Sequence, residues 1–145
     1  MTRSYNFSKR AVDPTLRRST QKQGDTAMQY MMLIYMDENA MSETERADCY
    51  EKSAAYARQL HTKGQFVSAA PLHPTSTATS LRTRDGKRLV TDGPFAETRE
   101  QLGGYFVVEA ENLDQAIEIA GQIPAGRLGT VEIRPIMEIQ GLPPM

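Results

Sequence analysis

Tryptophan is absent from this 145-residue chain, cysteine occurs once and histidine twice. The lone Cys49 excludes an internal disulfide framework. With no HxxxH or CxxC spacing among so few ligands, a closed zinc site is also excluded. No uninterrupted apolar run approaches the ~20 residues that a membrane-spanning helix needs. Glycine-rich phosphate loops are missing too: Gly103-Gly104 leads into a strand-like run rather than a helix, which is the wrong context for cradling an anion. No serine sits in a nucleophile elbow. These absences point to a reducing, cytoplasmic compartment, no membrane association, no metal and no cofactor.

The net charge of −1 conceals an asymmetry. Residues 1–27 carry six basic groups against Asp13 and Asp25, a balance of +4, which leaves −5 on the remainder. An acidic body is unsuited to nucleic acid, whose binding depends on neutralising phosphates. Residues 1–27 are polar, rich in Ser and Thr, and show neither helical nor strand periodicity, so they read as a flexible basic extension. They lack the apolar segment of a secretory signal. Two acids and poor amphipathicity argue against an organelle leader or a nucleic-acid arm. The single domain is expected over residues 28–145, a length that buries about two-thirds of its unfolded surface.

Within that domain Tyr30–Met36 (YMMLIYM) is apolar on both parities and reads as a central strand. Ser42 followed by Glu45 forms a capping box for a helix over about residues 43–63. Ala47, Tyr50, Ala54, Ala57 and Leu60 supply its narrow apolar face, and Gly64 closes it. Residues 65–72 resume extended structure, with Pro71 marking an edge or bulge. Residues 77–84 and 87–91 flank Asp85-Gly86, the sequence of a type I′ hairpin turn. The Gly103-Gly104 pair opens the strand Tyr105–Ala110, and Asn112 caps a second helix with Gln115 at the capping-box position. Leu113, Ala116, Ile117 and Ala120 form its apolar stripe, and Pro124 stops it. The last strand spans Thr130–Ile139, with Pro135 where a missing N–H is tolerated. This order is the α+β, ferredoxin-like split β-α-β pattern with an inserted β-hairpin.

The run from Asp92 to Ala110, DGPFAETREQLGGYFVVEA, closely resembles the signature of YCII-related proteins of the DGPF type, and the resemblance extends from Met28 to about Met137. It implies a ferredoxin-like fold of the dimeric α+β barrel group and no settled activity. A homodimer packed sheet to sheet also follows from physics, since a sheet with apolar residues on both faces must cover the second one. Some members of the family are thought to use a His–Asp pair, the histidine being on the first helix. The matching stretch here, Arg46-Ala47-Asp48-Cys49-Tyr50, has no histidine, so only Asp92 carries over, by its place in the DGPF motif.

Asp92 is the leading catalytic candidate: a carboxylate beside a proline turn is held rigidly and, if buried, gains a raised pKa suited to taking protons near neutrality. The bland alternative is that it caps the turn. His73, between Leu72 and Pro74, is the candidate proton partner, against a plain surface imidazole. His61, near the end of the first helix, more simply meets the final carbonyls. Arg82 and Arg134 are candidate clamps for a substrate carboxylate, against snorkelling at a sheet edge. Phe95, Glu97 and Tyr105 complete the expected substrate-binding set; Phe95 is a lone apolar side chain in polar company, expected to plug a space. Glu97 lies with Arg99 and Glu100 in a loop that is either a solvated charge cluster or a lid. Cys49 reads as a small buried apolar residue. Two functions fit: cofactor-free proton transfer on a carbonyl or lactone-like small molecule, or a non-catalytic module binding a metabolite or protein in a regulatory or stress context.

Overall fold

A computed structural model describes residues 27–145. The extension expected over residues 1–27 therefore lies, apart from Ala27, outside the described residues. Four strands form the main sheet: β1 (Met28–Met36), β2 (Phe66–Pro71), β5 (Gln101–Ala110) and β6 (Gly129–Pro135), in the spatial order β2-β5-β1-β6. Every described pairing in it is antiparallel. Strands β3 (Thr79–Arg84) and β4 (Lys87–Asp92) pair as a separate hairpin. Helices α1 (Glu43–Thr62) and α2 (Leu113–Gly121) make the crossovers. Apart from the inserted hairpin, this is the ferredoxin-like α+β fold.

Alternation along β1 and β5 explains the layering. Tyr30, Met32, Ile34 and Met36 are buried, and the register sets Tyr30 against Val108 and Met32 against Phe106. Tyr30, Met32, Ile34, Phe106 and Val108 join Tyr56 and Leu60 of α1 and Ala116, Ile119 and Ala120 of α2 in one core cluster. The intervening residues Met31, Leu33 and Tyr35 face the other way and are only half-buried. Val107, on that second face between Met31 and Ser68, is 1% exposed. The second face thus carries an apolar centre, while Glu132 and Arg134 of the edge strand β6 lie beside Leu33 and Met31.

The helix ends follow local chemistry. Ser42 Oγ accepts the Glu45 N–H at 3.2 Å, as a capping serine does. At the other end Gly64, at φ 72°, allows the Gly64 N–H to reach the His61 carbonyl and the Gln65 N–H to reach that of Leu60, a Schellman closure. Asn112 Oδ1 accepts from the Gln115 N–H at 2.8 Å, while Gln115 Oε1 accepts from the Glu111 N–H at 2.7 Å. Asp85 and Gly86 both have positive φ, 49° and 74°, as a type I′ turn requires.

Three local expectations are revised. The buried face of α1 is Cys49, Tyr56 and Leu60, whereas Tyr50 is 46% exposed and Ala47 and Ala54 are exposed as well. The first half of α1 stands off the sheet over a cleft, so its small residues have nothing to be pressed against. Strand β5 begins at Gln101 and contains Gly103-Gly104. A Cβ on Gly104 would lie 2.8 Å from the Ala70 carbonyl oxygen, so this glycine serves close strand approach rather than a turn. Strand β6 stops at Pro135, short of Ile139. Pro135 lies opposite Tyr30 where an N–H would point away from β1, so its lack is tolerated, and Ile136 still donates to the Gln29 carbonyl at 2.8 Å.

Candidate functional site

The standoff between α1 and the sheet creates a cavity of about 520 Å³. Its origin is compositional. Ser53, Ala54 and Ala57 of α1 look across at Ala69 of β2 and at Gly103 and Gly104 of β5, so both walls are short where a packed interface would interlock longer side chains. Ile34, Phe66 and Phe106 add apolar surface, and Cys49, which is buried, completes part of the helix wall.

Polar groups are contributed mainly where β1 runs out into α1. Asp37, Glu38 and Arg46 line this part of the cavity. Glu38 is spoken for: its carboxylate accepts the Thr75 N–H at 2.7 Å and the Thr75 hydroxyl at 2.8 Å. Its backbone carbonyl accepts from Arg46 Nη2 at 2.6 Å. Asp37 Oδ1 accepts the Asn39 N–H at 2.9 Å, while its Oδ2 lies 3.8 Å from Nε of the highly exposed Arg99. Arg46 is half-buried and pairs with no carboxylate among the described residues.

Of the residues expected to form the site, Tyr105 lines this cavity and the others do not. His73 is exposed in the segment between Leu72 and Pro74, both of which do line it. Asp92 ends β4 on the hairpin, exposed, and its carboxylate makes no hydrogen bond to a described residue. The turn after it is held instead by Gly93, whose N–H donates to the Ala78 carbonyl at 2.8 Å and whose carbonyl accepts from Ser80 Oγ at 2.7 Å. Phe95 is 77% exposed and plugs nothing in this chain; the Arg82 guanidinium carbon sits 5.3 Å from its ring centroid. Glu97 is exposed in the following loop, and Arg134 is exposed on the edge strand beside Met31. The structure therefore brings Arg82 and Phe95 together, next to the segment bearing Asp92, and leaves Arg134 on the main sheet. His61 is exposed and meets the Phe66 ring edge-on at 6.5 Å.

Glu38 and Arg46 were not singled out by the sequence reading. One signal was available for Arg46. It occupies the opening turn of α1, where the helix dipole favours acids and disfavours a cation, so a guanidinium there calls for another partner. No group of three or more His, Cys, Asp or Glu side chains suited to a metal occurs among the described residues. No helix among them is long and apolar enough to cross a membrane.

An α+β ferredoxin-like domain with an inserted hairpin and a pocket between its first helix and its sheet is the class that fold and site define. The chain belongs to the YCII-related domain family, which it matches over residues 28–140. It is also similar to an uncharacterized protein of Rhizobium meliloti (strain 1021), 35% identical over 114 residues, which cover 75% of this chain and 92% of that protein.

Proposed function

We propose that this protein binds a small organic molecule in the cavity between α1 and the sheet. The observation that carries this reading is the cavity itself: about 520 Å³ in a single domain, walled by alanine, glycine and aromatic residues with a few polar groups. That combination is typical of small-molecule sites, in which apolar walls supply affinity and sparse polar groups supply orientation. Tyr105, from the expected substrate-binding set, belongs to it. The direct test is a thermal-shift screen of small carbonyl compounds, lactones and carboxylates. A ligand present at 100 times its dissociation constant stabilises the fold by about 2.7 kcal/mol, well within detection. Narrowing the cavity by Ala69→Leu should reduce the shift; a shift left unchanged by the substitution places the ligand elsewhere.

Catalysis is the second reading, favoured by the exposed Asp92 carboxylate with no described hydrogen-bond partner on a hairpin that stands apart from the main sheet. In this reading the chain is a homodimer, its second sheet face covered by another copy. Leu81, Leu89, Val90 and Phe95 of the hairpin and the loop after it, between 49% and 77% exposed, lie against that copy. Asp92 then serves as the base for proton transfer on a carbonyl or lactone-like compound, with His73 as proton partner and Arg82, Arg134, Phe95 and Glu97 near the substrate. Asp92→Asn should abolish turnover of a compound found in the screen while leaving its binding and the melting temperature unchanged. Equal loss of stability and binding would identify a structural turn instead.

A further inference from the structure

We infer that the ligand of the α1–sheet cavity carries a carboxylate, and that Arg46 is the residue that grips it. This rests on reading the cavity as a binding site and adds the chemical class of what binds. Three facts converge. First, a half-buried guanidinium lines the cavity beside Asp37 and Glu38 yet pairs with no carboxylate among the described residues. A charge withdrawn from water and left unpaired is costly, and an anion delivered by a ligand would offset that cost. Second, both acids that line the cavity are engaged elsewhere: the two oxygens of the Glu38 carboxylate accept from Thr75, and Asp37 accepts the Asn39 N–H and faces Arg99 at 3.8 Å. Third, among the described residues Arg46 is anchored through one side-chain nitrogen only, Nη2 to the Glu38 carbonyl. A guanidinium has five donors in a planar fork, so most remain for a bidentate partner.

The same bonds identify Glu38 and Thr75 as positioning residues. Thr75 fixes the Glu38 side chain from both its N–H and its hydroxyl, which holds the peptide whose carbonyl orients Arg46. The order of action is Thr75 on Glu38, Glu38 on Arg46, and Arg46 on the ligand. Arg58 also lines the cavity but is exposed, so its charge remains solvated and it has less need of a partner. An apolar acid meets both demands of this space, its body against the alanine and glycine walls and its carboxylate on the fork.

The test compares 3-phenylpropionate with its neutral isostere 3-phenylpropionamide, by calorimetry and thermal shift, on the full chain. The acid should bind at least tenfold tighter than the amide. Arg46→Met should remove about 10- to 100-fold of the acid's affinity and leave the amide's unchanged, the scale of a lost charge-assisted hydrogen-bond pair. Arg46→Lys, which keeps the charge and loses the fork, guards against a folding defect and should fall between the two. Thr75→Val should weaken the acid several-fold and spare the amide, whereas a merely structural role would weaken both alike. Equal binding of acid and amide, insensitive to Arg46→Met, would overturn the carboxylate inference and leave the cavity reading intact. Failure of both probes to bind, in wild type and in Ala69→Leu alike, would overturn the cavity reading and this inference with it.

Discussion

The Tyr56 hydroxyl of α1 donates a hydrogen bond of 2.8 Å to the Ile119 carbonyl oxygen in the last turn of α2. The Ile119 carbonyl also accepts the Gln122 N–H at 3.2 Å, and Tyr56, 8% exposed, adds a second bond to it from the neighbouring helix while its ring joins the core. One side chain thus ties both crossovers together above the sheet. Tyr56→Phe should cost about 1 kcal/mol of stability, read from the urea midpoint at neutral pH.

The same residue gives the fold an alkaline limit. Burial pushes the Tyr56 phenol up from its ordinary value of 10.0 to about 12. Its neutral form is favoured in the folded state, so the linked stability is complete below the unfolded value and is lost as pH rises through the folded one. Between pH 10 and pH 12, wild type should lose about 1.4 kcal/mol per pH unit relative to Tyr56→Phe. Parallel curves for the two proteins across that window would show that the phenol does not govern it.

Adjacent glycines should behave differently. A Cβ on Gly104 would lie 2.8 Å from the Ala70 carbonyl oxygen and 3.2 Å from the Pro71 Cα, both backbone atoms that cannot move without parting β2 from β5. A Cβ on Gly103 would meet the Met36 side chain at 3.5 Å, an ordinary contact. Gly104→Ala should therefore cost about 2 kcal/mol or more, while Gly103→Ala stays within about 0.5 kcal/mol of wild type. Denaturation midpoints of the two variants decide it.

Ala69→Leu places new methyl groups in open volume, where they find contacts rather than clashes. Its stability should stay within about 1.5 kcal/mol of wild type while ligand-induced stabilisation is reduced. Loss of ligand response together with a collapsed melting transition would show that the space is too tight for leucine.

On the hairpin, Leu81 and Val90 are cross-strand partners, 60% and 66% exposed. Replacing both with lysine removes no buried contact from one chain, so the unfolding midpoint at low protein concentration should be unchanged within about 0.5 kcal/mol. Under the homodimer proposal the dissociation constant, measured by sedimentation, should rise at least tenfold. An unchanged constant would take the hairpin out of the interface.

Helix caps, turns and strand order were legible because each is written in adjacent residues. Ser42 with Glu45, Asn112 with Gln115, Gly64 and Asp85-Gly86 act over a few positions, and the DGPF run identified the family. The buried face of α1 was less legible: Ala47, Tyr50 and Ala54 repeat at helical spacing, yet they do not pack on the sheet, and Cys49 and Tyr56 are buried instead. Periodicity names a stripe, but which stripe is covered depends on what stands opposite. For the cavity, Ala69 and Gly104 are distant in sequence from Ala54 and Ala57, and the space between them exists only once α1 lies over β2 and β5. Arg46, Glu38 and Thr75 likewise come together through side-chain bonds between separate segments.

The sequence by itself determined the elements, their order and the family, since local propensity, capping and hydrophobic alternation act along the chain. Tertiary structure alone decided that Asp37 and Glu38 after β1 meet Arg46 of α1 at a cavity, and that Asp92 projects on a separate hairpin. Burial and the pairing of charges are properties of surfaces brought together in space, and no spacing along the chain records them.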